Sequence, residues 1–221
     1  MRLVFFSGGD ERENRDLDFE CLKLIDSGSP VFTFVPSSSY DGESEFRDFV
    51  EQYKGFGVDR FLYFPIDIPQ DRVLLSEVFS CDLIFLGGGN TYYFLKYLRL
   101  RGLLPFFKEF ALGGGVLAGL SAGAILMTPN INTAGYPQFD RDENEEEVKN
   151  FNAMNLVKFE FFPHYKNSAR YDKVLLRESR KTAFPLFALP DGSGIIKDGD
   201  NMTFVGRAWC FHRGVKTLLN N

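Results

Sequence analysis

The stretch that decides the fold is Val116-Leu117-Ala118-Gly119-Leu120-Ser121-Ala122-Gly123-Ala124-Ile125-Leu126-Met127. Its first five residues are apolar or small and predict a buried strand, whereas Ala124 to Met127 predict a helix that Pro129 ends. The residues between them match Gly-x-Ser-x-Gly, a pattern that fits a strained strand-to-helix turn with an exposed serine hydroxyl. We therefore expect Ser121 at the tip of such a turn, where it is placed to act as a nucleophile.

Before this stretch, predicted strands alternate with predicted helices. The predicted strands are Leu3–Phe6, Val31–Val35, Phe61–Phe64 and Leu83–Leu86, and the helical patterns cover residues 16–26, 46–53, 73–79 and, in two pieces broken near Gly102 and Pro105, 91–112. Because the strands lack polar alternation, both faces of their sheet should be buried. Strands that alternate with helices favour a parallel sheet. We predict an α/β fold with three layers: an open, mostly parallel sheet with helices on both faces.

The second half of the chain is less regular. Residues 157–162 predict a strand that ends at Pro163-His164, residues 168–180 predict a helix, and residues 187–212 predict short strands and turns. The acidic stretch at 139–150 is expected to be a solvated loop or the start of a helix. Because no repeat, linker or low-complexity segment divides the chain, we expect residues 1–221 to form a single catalytic domain.

Composition narrows the classes of function. The 221 residues carry a formal net charge of −5, which argues against a broad nucleic-acid surface. No apolar run is long enough to span a membrane, so no membrane association is expected. The three cysteines are far apart and odd in number, which argues against a disulfide framework or a metal site. We expect a cytoplasmic protein without a cofactor or a metal.

A nucleophilic serine needs a base, and the chain has only two histidines. His164 follows a predicted strand, where active sites collect in open parallel sheets, whereas His212 lies on a peripheral strand near the C-terminus. We therefore favour His164 as the base. Asp191, in Leu189-Pro190-Asp191-Gly192, either orients His164 or only shapes a Pro-Asp-Gly turn. The order Ser, His, Asp differs from the Ser, Asp, His order of the α/β hydrolases.

Backbone donors for an oxyanion are expected at two places. Ala122 begins the helix after the serine, and Gly87-Gly88-Gly89-Asn90 follows a predicted strand with its N–H groups exposed. A phosphate site is the competing interpretation of the glycines. It is disfavoured because no Gly-Lys-Ser/Thr follows and no Gly-x-Gly-x-x-Gly opens the next helix.

Four segments together resemble the peptidase E family, whose fold is similar to that of the class I glutamine amidotransferases, a flavodoxin-like arrangement. They are Phe85–Thr91, Ala118–Ala124, Pro163-His164 and Leu189–Gly192, in order along most of the chain. The resemblance implies an intracellular serine peptidase, with best-known members that remove N-terminal aspartate from dipeptides. It also implies Ser121 as nucleophile, His164 as base, an oxyanion hole near Gly88 or Gly89 and Ala122, and Asn90 as a contact for the substrate backbone. The third member of the triad is often Glu in this family, and the matching position here is Asp191.

The sequence defines the reaction type more closely than it defines the substrate. An aspartyl substrate needs a cation, for which Lys166 and Arg170 are the candidates, although both also fit exposed residues at a helix start. A small peptide is the expected partner, and homodimer formation is left open. The alternatives are a cyanophycinase-like β-aspartyl peptidase, an esterase or amidase of small metabolites, and a non-catalytic binding protein of this fold. Amidotransfer is disfavoured because no cysteine lies in the Gly-x-Ser-x-Gly turn.

Overall fold

The strands form two sheets in the computed structural model, which describes residues 1–220. The strands are β1 (Arg2–Phe6), β2 (Val31–Val35), β3 (Arg60–Tyr63), β4 (Leu83–Leu86), β5 (Val116–Leu120), β6 (Glu160–Phe162), β7 (Leu186–Ala188), β8 (Gly194–Asp198), β9 (Asn201–Val205), β10 (Ala208–His212) and β11 (Val215–Asn220). The larger sheet has the order β3-β2-β4-β5-β1-β8-β9. Its first five strands are parallel, and β8 and β9 extend it antiparallel. The predicted open, mostly parallel sheet is confirmed.

Helices cover both faces of this sheet. They are α1 (Glu11–Leu22), α2 (Ser39–Lys54), α3 (Arg72–Val78), α4 (Thr91–Leu100), α5 (Leu104–Leu112), α6 (Ala122–Leu126) and α7 (Ala169–Glu178). Leu17 of α1 and Phe49 of α2 belong to the apolar cluster on one face, whereas α4, α5 and α6 contribute to the cluster on the other face. The three-layer prediction is therefore confirmed.

The first helix begins earlier than its apolar pattern predicts. The Asp10 side chain accepts hydrogen bonds from the backbone N–H groups of Arg12 and Glu13, and the Glu13 side chain accepts one from the N–H of Asp10. This reciprocal capping satisfies N–H groups that a helix start leaves unpaired. The polar first turn carries no apolar stripe, so the prediction of 16–26 missed it.

The smaller sheet has the order β11-β10-β7-β6 and was not predicted. The strand predicted at 157–162 is reduced to Glu160–Phe162, and it pairs in parallel with β7. His164 and Asp191 follow β6 and β7, so they lie at strand ends of the smaller sheet and not of the open parallel sheet. Their strands nevertheless end beside the carboxyl end of β1, since Ser7, the residue after β1, is hydrogen-bonded to both His164 and Leu189.

The acidic stretch at 139–150 forms neither helix nor strand within the described residues, but it is more than a solvated loop. The Asp142 carboxylate accepts a hydrogen bond of 2.7 Å from the backbone N–H of Thr91, at the start of α4. Lys96 of α4 pairs with Glu146. A carboxylate at a helix N-terminus is stabilised by the helix dipole, and this contact holds the segment against α4. Among residues 1–220, no helix combines the length and apolar character that crossing a membrane requires.

Candidate active site

Ser121 stands on the predicted sharp turn between β5 and α6. Its backbone has φ 50° and ψ −106°, a conformation that is strained for a residue with a side chain. The flanking glycines allow the turn, because a Cβ on Gly119 would lie 2.4 Å from the carbonyl carbon of Gly123. A Cβ on Gly123 would lie 2.3 Å from the carbonyl oxygen of Leu86. The strand, turn and helix that the Gly-x-Ser-x-Gly pattern requires are therefore present.

A hydrogen-bonded chain joins Ser121, His164 and Asp191. The Oγ of Ser121 lies 2.8 Å from Nε2 of His164, and Nδ1 of His164 lies 2.7 Å from Oδ1 of Asp191. A proton on Nδ1 that points at the carboxylate leaves Nε2 free to accept the serine proton. Both His164 and Asp191 are about half exposed, so the chain of hydrogen bonds is open to a ligand from solvent. The structure thus brings together the three residues that the sequence singles out.

Ser7, which lies outside the motifs recognisable in the sequence, fixes the segment that carries the histidine. Its hydroxyl donates a hydrogen bond of 2.7 Å to the carbonyl of Leu189 and accepts one of 2.8 Å from the backbone N–H of His164. Ser7 is fully buried, and His164 has φ 54°. One hydroxyl therefore ties the end of β1 to the segments that carry His164 and Asp191.

Replacement of Ser7 by alanine should destabilise the fold and disturb the position of His164. The substitution leaves the N–H of His164 without its acceptor, and a buried unsatisfied group costs about 1–3 kcal/mol. Chemical denaturation of Ser7→Ala measures this loss. Ser80→Ala is the matched control, because Ser80 is exposed and, in the part of the chain that the structure describes, its hydroxyl bonds only to the carbonyl of Ser76. Equal stabilities for the two variants would contradict the assigned role of Ser7.

Gly8 packs directly against the histidine–aspartate pair. An added Cβ at this position would lie 2.3 Å from both Oδ1 of Asp191 and Cε1 of His164. The carbonyl of Gly8 also accepts a hydrogen bond of 2.9 Å from the N–H of Gly192, the residue after the aspartate. The only sequence signal for this contact is Ser7-Gly8-Gly9 directly after the first predicted strand, where glycines permit a close approach of the backbone.

Hydrogen bonding identifies which N–H groups are available for an oxyanion. At the turn, the N–H of Ser121 donates to the carbonyl of Phe6, and that of Gly123 donates to the carbonyl of Gly87. Ala122 is the first residue of α6, so its N–H has no partner inside the helix. In the glycine loop, the N–H of Gly87 is bonded to Val35, which leaves Gly88 and Gly89 as the candidate second donors.

The conformation of the glycine loop explains why position 89 is a glycine. Gly89 has φ 117°, and a Cβ there would lie 2.1 Å from Oγ of Ser37. Any other residue would be strained and would displace Ser37. The loop therefore keeps its backbone close to β5 without a side chain between the candidate donors and a ligand.

A cleft of about 260 Å³ opens beside Ser121 and His164. Three carboxylates face it, those of Asp140, Asp142 and Asp191, and Lys166 is the only lysine or arginine among the described residues that line it. Thr91, Thr133 and Tyr136 contribute hydroxyl groups. The carboxylates of the cleft can therefore attract an amino group of a ligand, and Lys166 can attract a carboxylate.

Of the three residues predicted to bind substrate, only Lys166 lines this cleft. The Oδ1 atom of Asn90 accepts the backbone N–H groups of Tyr92 and Tyr93 and so caps α4, while its Nδ2 donates to the carbonyl of Glu143. The guanidinium of Arg170 lies 3.4 Å from the centroid of the Phe139 ring. Both side chains are therefore engaged elsewhere. His212 lies on β10 and does not line the cleft.

A serine on a strained strand-to-helix turn, hydrogen-bonded to a histidine on an amidotransferase-like α/β fold, defines the class of serine hydrolases. The model of peptidase family S51 matches residues 3–205. The chain therefore belongs to peptidase family S51, in agreement with the resemblance noted from its motifs.

Relatives and solved structures extend this comparison. Peptidase E of Shewanella denitrificans is 26% identical over 203 residues, which cover 87% of this chain and 83% of the relative. An uncharacterized peptidase of Listeria innocua is 31% identical over 139 residues, which cover 61% of this chain and only 64% of the relative. The crystal structure of a peptidase from an acI-B1 actinobacterium matches with a TM-score of 0.75 at 18% identity, and the match covers 99% of this chain and 93% of that one. This last similarity supports the fold.

Proposed function

We propose that the protein is a serine peptidase that hydrolyses small peptides, including dipeptides with N-terminal aspartate, through an acyl-enzyme on Ser121. The observation that carries the proposal is the continuous hydrogen-bonded chain from Ser121 through His164 to Asp191. A serine with a purely structural role does not require these hydrogen bonds, whereas a serine nucleophile requires a base and an acid that orients the base.

Acylation follows from this arrangement. His164 Nε2 takes the hydroxyl proton as the Oγ of Ser121 attacks the scissile carbonyl carbon, and Asp191 stabilises the imidazolium that forms. The carbonyl oxygen becomes an oxyanion, for which the N–H of Ala122 and that of Gly88 or Gly89 are the donors. The intermediate then collapses, His164 gives its proton to the leaving amine, and the C–N bond breaks.

Deacylation repeats these steps with water. His164 removes a proton from a water molecule, the resulting hydroxide attacks the ester carbonyl, and the same N–H groups stabilise the second oxyanion. Collapse returns the proton from His164 to the Oγ of Ser121 and releases the free acid. No metal or redox group is needed for the atoms and protons to balance.

The chemistry of the cleft supports a small acidic peptide as substrate. A volume of about 260 Å³ is suited to the few atoms of one amino-acid residue rather than to a folded chain. Asp140 and Asp142 attract a free α-amino group, and Lys166 attracts the side-chain carboxylate of an N-terminal aspartate. The proposal therefore includes recognition of both charges of an N-terminal aspartyl residue.

A panel of peptides tests this proposed function. Asp-Leu should be hydrolysed, whereas N-acetyl-Asp-Leu, which lacks the positive charge, should be hydrolysed at a rate lower by about 100-fold. The β-aspartyl isomer of Asp-Leu and a p-nitrophenyl ester serve as comparison substrates for the β-aspartyl and esterase alternatives. If the protein hydrolyses none of these compounds, the proposal is contradicted.

Lys166→Met should weaken the preference of the protein for substrates with N-terminal aspartate. Methionine removes the charge of the lysine and keeps an apolar side chain of similar length. We expect KM for Asp-Leu to rise about tenfold and kcat/KM for Ala-Leu to change less than about twofold, because only the aspartyl carboxylate loses its partner. Steady-state kinetics on both peptides measure the change. Lys173→Met is the matched control, since Lys173 is exposed on α7 and does not line the cleft. A parallel loss for both peptides would contradict this role of Lys166.

A further inference from the structure

A second cavity, of about 420 Å³, is lined by the glycine loop Gly87–Gly89 and by residues of α1 and α2. None of the residues that line it lines that cleft. It nevertheless borders the catalytic groups, because it is lined by Leu120, the residue before the nucleophile, and by Gly88 and Gly89, the candidate oxyanion donors. Gly9 follows the glycine that packs on the histidine–aspartate pair.

The floor of this cavity is aromatic. Phe34, Phe49 and Phe85 line it, and each is at least nine-tenths buried. The ring centroids of Phe49 lie 5.1 Å from Phe34 and 5.2 Å from Phe85. Such a surface holds an apolar chain, and its ring faces also attract a cation.

The rim of the cavity is acidic. Glu11 in the first turn of α1 and Glu45 and Asp48 on α2 line it, with Asp18 deeper inside, and no lysine or arginine is among the described lining residues. None of these carboxylates takes part in an ion pair within residues 1–220. Burial raises the pKa of Asp18 to about 6, and burial with repulsion from nearby Asp41 and Asp48 raises the pKa of Glu45.

One buried acceptor in the cavity wall is unused. Asn14 is only 6% exposed, and its Nδ2 donates to the carbonyl of Gly9, but its Oδ1 has no hydrogen-bond partner among residues 1–220. A buried acceptor without a partner costs free energy, which a ligand with N–H groups recovers. Asn14 and the rim carboxylates therefore favour the same kind of ligand group, a positively charged hydrogen-bond donor.

We propose that this cavity is the subsite for the leaving residue of the substrate and that it selects a lysine or arginine side chain. The inference rests on the proposed function. His164 gives its proton to the leaving amine, and its ring packs on Gly8, next to Gly9 in the cavity wall. The methylene groups of a basic side chain would pack on the aromatic floor, with the cationic end at the carboxylates.

The experiment compares Asp-Lys with Asp-norleucine, which has a similar chain length without the charge. For the wild type at low ionic strength, kcat/KM for Asp-Lys should exceed that for Asp-norleucine about fivefold to tenfold, mainly through KM. The double variant Glu45→Gln/Asp48→Asn should lower this ratio to about one. Glu51→Gln, on the exposed side of α2 outside the cavity, is the matched control and should keep the wild-type ratio.

Calorimetry with Ser121→Ala protein separates this inference from the proposed function. Tighter binding of Asp-Lys than of Asp-norleucine, lost when Glu45→Gln/Asp48→Asn is added, supports the subsite even if the wild type hydrolyses neither peptide. Hydrolysis of both peptides at equal kcat/KM, with a ratio that the double variant leaves unchanged, overturns the subsite and leaves the peptidase proposal standing. Failure to bind either peptide overturns the subsite as well.

Discussion

Ser121→Ala should lower the turnover of every hydrolysed substrate by about 10⁴-fold or more. The substitution removes the only atom that forms the acyl bond in the proposed mechanism, and His164 then has no nucleophile to deprotonate. Alanine keeps a Cβ, so the strained turn and its glycine contacts are unchanged. The measurement is kcat on Asp-Leu, with enzyme concentrations high enough to detect the residual rate.

Thermal unfolding of the same variant provides the control. Ser121→Ala should retain the melting temperature of the wild type within a few degrees, because within residues 1–220 the serine hydroxyl is hydrogen-bonded only to the half-exposed His164. A folded variant with wild-type turnover would exclude Ser121 as the nucleophile.

Gly8→Ala should have the second-largest effect, at least about 100-fold on kcat, although position 8 is outside the Gly-x-Ser-x-Gly turn. The new methyl group would lie 2.3 Å from Asp191 Oδ1 and 2.4 Å from His164 Nδ1, so it must push the aspartate and the imidazole apart. A displacement of about 1 Å is enough to cost 10²-fold in rate, and loss of the aspartate function costs about 10⁴-fold. Stopped-flow or steady-state kinetics on Asp-Leu measure the loss.

Gly28→Ala is the matched control for this substitution. Gly28 is exposed, and a Cβ there would meet no atom of the described residues 1–220 within 4 Å. It should therefore leave kcat unchanged. Equal activities for Gly8→Ala and Gly28→Ala would show that the histidine–aspartate contact seen in the structure does not contribute to turnover.

The features that could be predicted from the sequence are those with a local cause. The strand, turn and helix around Ser121 follow from neighbouring residues, and the five parallel strands follow from apolar runs that alternate with helical patterns. His164 could be singled out because the chain has only two histidines. Asp191 depended on the resemblance, since Pro-Asp-Gly is equally a turn signal.

The features that were missed depend on contacts between distant residues. Ser7 bonds to segments 157 and 182 residues away, and no pattern near Ser7 signals those contacts. The smaller sheet contains two strands of only three residues, too short for a periodic pattern. Asn90 was assigned to the substrate because of the motif around it, whereas in the fold it is the N-terminal cap of α4, a role that asparagine favours.

Covalent labelling with a fluorophosphonate, followed by mass spectrometry of the digested protein, tests whether Ser121 is a nucleophile activated by His164. We predict one adduct per chain on the peptide that contains Ser121, no adduct in Ser121→Ala, and much slower labelling of His164→Ala, because the base is then missing. Labelling of another residue, or equal labelling of the wild type and Ser121→Ala, would contradict it.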